Sequence, residues 1–136
     1  MAANTLPIFP KNGSLSWGTL TTQNTATDGT GTVVTVFTAD ATNGSRIDTL
    51  KVRHLGTNAI TVLRIFINNG STNATAGNNT LYMESSIAAN TLTQTAASTD
   101  IEIPLDICLP AGYKINVTIG TTIAAGISVC GVGGSY

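Results

Sequence analysis

Residues 46–67 read RIDTLKVRHLGTNAITVLRIFI and contain two candidate strands separated by a short polar turn. In residues 46–55, the apolar Leu50 and Val52 alternate with the charged Lys51 and Arg53. Alternation with period two is typical of a strand with one buried face. Residues 59–67 are nearly all apolar, with Arg64 as the one charged interruption. This second run predicts a strand that is buried on both faces.

Similar runs extend in both directions from this stretch, separated by turn signals such as Asp28-Gly29 and Asn43-Gly44. Further strands are predicted for residues 14–22, 32–38, 81–87, 101–105, 113–120 and 126–132. Pro104 favours an edge position for one of them, because proline cannot donate to a neighbouring strand. About eight short strands without an amphipathic helix predict an all-β, antiparallel two-sheet sandwich, for which an eight-stranded jelly roll is the natural case. A closed barrel is the main alternative.

Composition supports this fold class and bounds the size of the domain. The chain has 136 residues, of which 42% are hydrophobic and only 10% are charged. Its polar surface is therefore built from Thr, Asn, Ser and Gly, which suit strands and turns better than helix interiors. The length predicts a single sandwich domain over residues 14–136, preceded by an extended arm over residues 1–13.

The arm supplies the candidate partner-binding residues. Proline removes a backbone donor and blocks both a helix and a central strand, so a segment with two prolines is expected to be extended. Such an arm either lies over its own domain or reaches a neighbour. The predicted partner-binding residues are Leu6, Pro7, Ile8, Phe9 and Pro10.

Charge and targeting signals exclude several classes of partner. The formal net charge is −1 and no basic patch is present, which argues against nucleic-acid binding. The first residues, MAANTLPIFPKNG, lack the basic and apolar regions of a secretion signal. No apolar run approaches the roughly 20 residues of a membrane-spanning helix. We therefore expect synthesis in a cytoplasm and no membrane association.

The residues that carry chemistry are few and scattered. His54 is the one histidine, and its strand parity with apolar neighbours predicts a structural role. Asp100, Glu102 and Asp106 lie close in sequence; a solvated outer strand face is favoured over a Ca²⁺ site for them. No nucleophile elbow, phosphate loop or dinucleotide fingerprint is present. The sequence therefore predicts a protein that is not an enzyme and has no cofactor.

The two cysteines, Cys108 and Cys130, form neither a metal motif nor a redox motif. In a cytoplasm they are predicted to be reduced and partly buried, with a single disulfide as the alternative.

Two features bear on ligand binding. Trp17 is predicted to be a core residue of the first strand; its alternative role is to stack on a sugar. Residues 68–79, NNGSTNATAGNN, predict an exposed loop with little intrinsic structure, either a recognition loop or a plain connection. A carbohydrate-binding module is therefore the alternative to a protein-binding domain, with a glycan as its partner.

Three segments carry a family resemblance: TDGTGTVVTVFTA, NGSRIDTLKVRHLGTNAITVLRIFINNG and LPAGYKINVTIGTTIAAGISV. With them the chain resembles small β-rich structural proteins of tailed phages and prophages, namely capsid decoration (cement) or auxiliary virion proteins. The likeness spans residues 28–132 and lies in the general texture rather than in a catalytic motif. It implies a jelly roll or related sandwich, a homotrimer on a capsid lattice, location in the virion, and the major capsid protein or another virion protein as partner.

Overall fold

The computed structural model describes residues 9–136, which fold into eight strands and one short 3₁₀ turn. Residues 9–136 contain no α-helix, and hence no helix that is long and apolar enough to cross a membrane. The elements in chain order are β1 (Asn12–Leu20), β2 (Val34–Thr38), β3 (Ser45–His54), β4 (Thr61–Asn68), the 3₁₀ turn η1 (Ala76–Asn78), β5 (Asn79–Ile87), β6 (Ile101–Leu109), β7 (Lys114–Ile119) and β8 (Ile127–Ser135).

The strands form two four-stranded antiparallel sheets. Sheet A has the order β1-β8-β3-β6, and sheet B has the order β2-β7-β4-β5. The first strand therefore pairs with the last, the second with the seventh, the third with the sixth and the fourth with the fifth. A long antiparallel ribbon wrapped around a core produces this pairing, which defines the eight-stranded jelly roll. The predicted sandwich is confirmed, and the two separate sheets exclude the closed barrel.

The hydrophobic core lies between the two sheets and is built mainly from β-branched and leucine side chains. Strands β3 and β8 supply it from sheet A, and β4 and β7 supply it from sheet B. These are the inner strands of each sheet, which explains why their core-facing residues are fully buried. The fully buried members of the cluster are Val36, Ile47, Leu50, Val52, Leu63, Ile65, Ile87, Ile115, Val117, Ile119, Ile127 and Val129.

Strand β6 lies at the edge of sheet A, as Pro104 predicts. The strand is longer than the predicted residues 101–105, because it continues through Asp106 to Leu109. Asp106 has a positive φ of 50°, and the register against β3 shifts between Ile47 and Thr49. A bulge therefore lets the strand continue past the point where the sequence alternation breaks.

The predicted turn at Asn43-Gly44 connects β2 to β3. Gly44 has a φ of 75°, a left-handed conformation that glycine adopts without steric cost. The Asp40 carboxylate accepts hydrogen bonds from the backbone N–H groups of Asn43 at 2.7 Å and Thr42 at 3.0 Å. These bonds lower the pKa of Asp40, the bond from Asn43 having the larger effect, and they fix the turn.

Candidate functional site

Strand β1 reverses the usual arrangement of a sandwich strand, in which large apolar side chains face the core and small or polar ones face outward. Its inward residues are the small Ser14, Ser16 and Gly18, whereas Leu15 and Trp17 point outward. A side chain on Gly18 would overlap Val34 on β2, so the inner face of β1 must be small for the two sheets to meet there. The outward side chains of Leu15 and Trp17 are therefore not used for folding, in contrast to the buried Leu20 at the end of the strand.

The outward residues of β1 continue onto β8 as one apolar surface. Trp17 pairs with Cys130, and Leu15 pairs with Val132. Trp17 is 67% exposed and Leu15 is 61% exposed, while Cys130 and Val132 are half-buried. We refer to these four residues as the β1–β8 strip. Contiguous apolar residues on the outer face of a sheet are typical of a contact surface.

Trp17 was predicted to lie in the core, and this prediction is wrong. The buried Leu20 at the end of β1 shows which face of the strand points to the core. Gly18, Ser16 and Ser14 lie on the same face as Leu20, so Trp17 lies on the opposite one. Alternation alone does not say which side of a strand is buried. Here the size of the residues decides which side is buried, because only small residues fit on the face of β1 that lies close to Val34 of β2.

The other half of the outer face of sheet A carries ion pairs. Asp100, Glu102 and Asp106 are all exposed, as predicted for a solvated face. Their partners lie on β3: Arg53 Nη1 is 2.6 Å from Asp100 Oδ1, and Lys51 Nζ is 3.9 Å from Glu102 Oε2. Each acid thus has its own basic partner, and the three do not converge on one point.

Arg46 completes this ionic half. Its Nε lies 2.8 Å from Asp48 Oδ1, and its Nη2 lies 3.2 Å from Asp106 Oδ1. The hydrogen bond that Arg46 donates to the Asp48 carboxylate raises the pKa of Arg46, and this effect outweighs desolvation. The described residues include no group of three or more His, Cys, Asp or Glu side chains that could hold a metal ion.

The two cysteines are free thiols. Cys108 is exposed on the outer side of the edge strand β6, which corrects the prediction that it is partly buried; Cys130 is half-buried, as predicted. The Sγ of Cys108 lies 2.9 Å from the Oη of Tyr136. This hydrogen bond is the main cause that raises the pKa of Tyr136.

His54 lies at the end of β3 and is half-buried. Its Nδ1 is 2.9 Å from Nδ2 of Asn58. Burial, followed by the charge of Arg53, lowers the pKa of His54. These contacts fit the structural role predicted for it.

The outer face of sheet B differs from that of sheet A, because the chain itself covers the part around Phe66, while Leu81 and Tyr82 on the edge strand β5 stay exposed. Phe66 is fully buried, yet it lies between Ile65 and Ile67, which point to the core, and is itself outside the core cluster. It therefore points outward. Two residues earlier on the same face, Arg64 Nη1 is 3.5 Å from the backbone oxygen of Asn24 in the β1–β2 connection. This connection therefore lies over sheet B.

Asparagine side chains hold the cover in place. Asn73 donates to the backbone oxygens of Gly29 at 3.3 Å and Gly31 at 2.8 Å. Asn79 donates to the backbone oxygen of Asp28 at 3.3 Å. The predicted absence of intrinsic structure in residues 68–79 is therefore wrong. Amides that bond to distant backbone groups order this loop, although its composition is that of a flexible one.

A cleft of about 270 Å³ opens between the β4–β5 connection and Tyr113. Its lining includes Asn69, Asn78 and Asn79. The Asn69 amide donates to Asn78 Oδ1 at 3.2 Å, and Asn78 donates to the backbone oxygen of Thr72 at 2.9 Å. The protein itself occupies these amide donors, so the cleft offers few directional groups to a ligand.

Of the predicted partner-binding residues, Leu6, Pro7 and Ile8 lie outside the described residues. Phe9 is 73% exposed. Pro10 is half-buried and packs on β8, where a side chain on Gly134 would overlap it. The next residue, Lys11, donates its backbone N–H to Ser135 at 2.7 Å. The chain is thus attached to sheet A from Pro10 onward.

Comparisons with known proteins gave two similar structures. No protein-family model matches the chain, and no curated protein matches it. The chain is similar to a protein of the T13 particle of infectious bursal disease virus, with 15% identity and a TM-score of 0.39 over 98% of this chain and 35% of that chain. It is also similar to a mutant VP2 protein of the same virus in T=1 particles, with 16% identity and a TM-score of 0.36 over 96% of this chain and 36% of that chain. The chain spans about a third of the length of each.

Proposed function

We propose that the chain is a virion structural protein of the capsid decoration or cement type, which binds the surface of a viral head and stabilises it. The observation that carries the proposal is the β1–β8 strip, which no segment among residues 9–136 covers, whereas Phe66 on the outer face of sheet B is fully buried. The resemblance to structural proteins of tailed phages supports the choice of a capsid as the partner. The proposal includes binding and no catalysis.

The strip has the physical properties that such a contact needs. Burying a large apolar side chain contributes about 1.5–3 kcal/mol, so Leu15 and Trp17 together can hold a domain on a multivalent surface. No residue of β1 is charged. A neutral contact is little affected by ionic strength, whereas exposed ion pairs are screened by salt.

The proposed partner is the major capsid protein or another virion protein, and the proposed location is the virion. Self-association into a homotrimer is part of the proposal and rests on the resemblance alone. The arm residues Leu6–Pro10 are proposed to add contacts with the partner, since Phe9 is exposed directly before the segment that joins sheet A.

Co-sedimentation tests the proposal, using purified shells assembled from the major capsid protein of the virus or prophage that encodes the chain. Leu15→Ser and Trp17→Ser should each weaken binding about tenfold or more, because each removes at least 1.4 kcal/mol of burial. Ile60→Ser is the matched control, since Ile60 is 66% exposed and lies outside the strip. Shells that bind neither the unmodified chain nor any variant would overturn the proposal.

A deletion tests the arm separately. Removing residues 1–9 while keeping Pro10, which packs on Gly134, should weaken shell binding and leave the unfolding midpoint unchanged. A large loss of stability would instead assign the arm to the core.

Glycan binding is the second candidate function, and the exposure of Trp17 is the observation that favours it. An indole that is 67% exposed on a sheet face is a platform of the kind on which sugar rings stack. Trp17 is the one tryptophan of the chain, so its fluorescence reports directly on such binding. Saturable quenching by a panel of soluble oligosaccharides, lost in Trp17→Ser, would favour this function; unchanged emission across the panel would reject it.

A further inference from the structure

A sandwich of two open sheets has four edge strands, and three of them carry features that prevent pairing with another strand. Strand β6 contains Pro104 and two acids, and its register shifts by a bulge. Strand β5 contains Glu84, and its register shifts between Ile65 and Phe66 of β4. Strand β2 has only five residues and an irregular register against β7. Proline, charge, bulges and short length are the usual means of blocking a sheet edge.

Strand β1 has none of these features. It runs for nine residues, NGSLSWGTL, without proline or charge. Its register with β8 is continuous from Asn12 to Leu20. Among residues 9–136, the backbone of β1 forms no hydrogen bond with any segment other than β8. Its outer edge therefore presents free backbone donors and acceptors, and these fit another β-strand.

We propose that this edge pairs with β1 of a second copy of the chain, antiparallel about a two-fold axis, and joins the two A sheets into one eight-stranded sheet. A two-fold axis perpendicular to a sheet brings identical edges together in antiparallel orientation. The occupant is a second copy because β1 is uncharged and alternates small inward residues with apolar outward ones, so two copies match when Leu15 lies opposite Trp17.

Self-pairing keeps the apolar residues on the same face of the joined sheet in every allowed register, and in one register it places them opposite each other. Opposite residues of an antiparallel pair share the same orientation, so odd-numbered residues of β1 can lie opposite only odd-numbered residues of the partner copy. In the register that places Leu15 opposite Trp17, both apolar residues of each copy meet an apolar partner on the outer face, and such cross-strand pairs stabilise a sheet. Because β1 carries no charge, no register opposes like charges.

This contact is independent of the capsid assignment, since it forms in solution without a shell. It is also compatible with a three-fold contact, because that contact would use other surfaces. If the chain is a dimer, disruption of the β1 pairing gives a monomer. If it is a larger assembly with both two-fold and three-fold contacts, the same disruption halves the mass of the assembly.

The experiment uses the full chain and measures mass by light scattering behind a sizing column over a range of concentrations. The unmodified chain should have an even number of subunits. The double variant Leu15→Lys/Trp17→Lys places like charges opposite each other across the two-fold axis and should halve the mass. Both side chains are exposed, so the fold should survive, and circular dichroism checks that it does.

A charge-swap mixture identifies the occupant. Leu15→Glu/Trp17→Glu should also have half the mass on its own, but mixing it in equal amounts with the double-lysine variant should restore the full mass. Recovery requires that the two β1 faces meet each other. The matched control is Ile60→Lys/Leu92→Lys, which places two lysines at exposed apolar positions away from β1 and should leave the mass unchanged.

Three results would overturn the proposal. One is a monomer at all concentrations, as expected if β1 accepts a strand from a different protein. The second is a mass that the β1 variants do not change. The third is a mixture that fails to recover.

Discussion

The two outer faces of the molecule present a contrast. Both carry a large aromatic residue at a strand position that points away from the core: Phe66 on sheet B and Trp17 on sheet A. Phe66 is fully buried beneath the chain's own connections, whereas Trp17 is 67% exposed. An outward aromatic residue on a sheet is therefore not evidence of a binding site in itself. What matters is whether the protein supplies its own cover.

The cover over Phe66 is polar in composition and specific in its bonds. Asn73 and Asn79 reach backbone oxygens of the β1–β2 connection, and their contacts fix where that connection lies. No comparable segment among residues 9–136 crosses the β1–β8 strip. The contrast assigns Phe66 to the stability of the domain, and under the proposed function it leaves Trp17 for contact with a partner; the following predictions test that division.

The largest loss of unfolding free energy is expected for a substitution in the core, between the two sheets. Val117 is fully buried on β7, so Val117→Asp would bury an unpaired carboxylate and should unfold the domain, at a cost of more than about 4 kcal/mol. Urea denaturation followed by circular dichroism measures it. A variant that stays folded with an unchanged midpoint would contradict the position of β7 in the core.

The next effect compares the two aromatic residues directly. Phe66→Ala should cost about 3–5 kcal/mol of unfolding free energy, because it leaves a cavity under the loops. Trp17→Ala should change the unfolding free energy of a dilute, dissociated sample by about 0.5 kcal/mol or less. Both are obtained from urea midpoints at equal m-values. Equal losses for the two variants would remove the distinction between the faces.

A smaller effect is expected from the asparagines of the cover. Asn79→Ala removes amide bonds to Asp28 and to Asn73 and should cost about 1–3 kcal/mol. Asn69→Ala is the matched control within the same loop, since its side-chain bonds stay local, to Asn78 and Ser71. Hydrogen exchange at the β1–β2 connection should increase in the first variant and not in the second. Equal exchange in both would contradict the assigned cover.

The smallest effect concerns pH. The pKa of His54 is lowered on folding by burial and then by Arg53, so the folded state favours the neutral ring. Its contribution to stability is full above the unfolded pKa of about 6.5 and declines as pH falls from there toward the lower folded pKa. His54→Gln, which keeps an acceptor for Asn58, should lose less stability than the unmodified chain between about pH 7.5 and about pH 5. Identical pH dependence would contradict this role.

The sequence predicted the fold through features that depend on near neighbours. Period-two alternation found the inner strands, glycine and asparagine marked the turn at Gly44, and Pro104 placed β6 at an edge. These signals work because strand polarity and turn dihedrals are local properties.

The errors lie where tertiary contacts decide. The exposure of Trp17 depends on the close approach of Gly18 to Val34, which joins two sheets. The order in residues 68–79 depends on amide bonds to residues about 40 to 50 positions earlier in the chain. The exposed apolar surface on β1 was missed because the alternation of β1 is the same whether its large or its small residues face inward.

The pairing of the first strand with the last has a consequence for synthesis. Strand β8 is the last of the eight to leave the ribosome, yet it lies between β1 and β3 and joins them into one sheet. Until it emerges, β1 has no strand beside it on either side, and the apolar inner residues of β3 lack one of their two neighbours. Folding of sheet A therefore waits for β8, and long-range pairings of this kind form slowly.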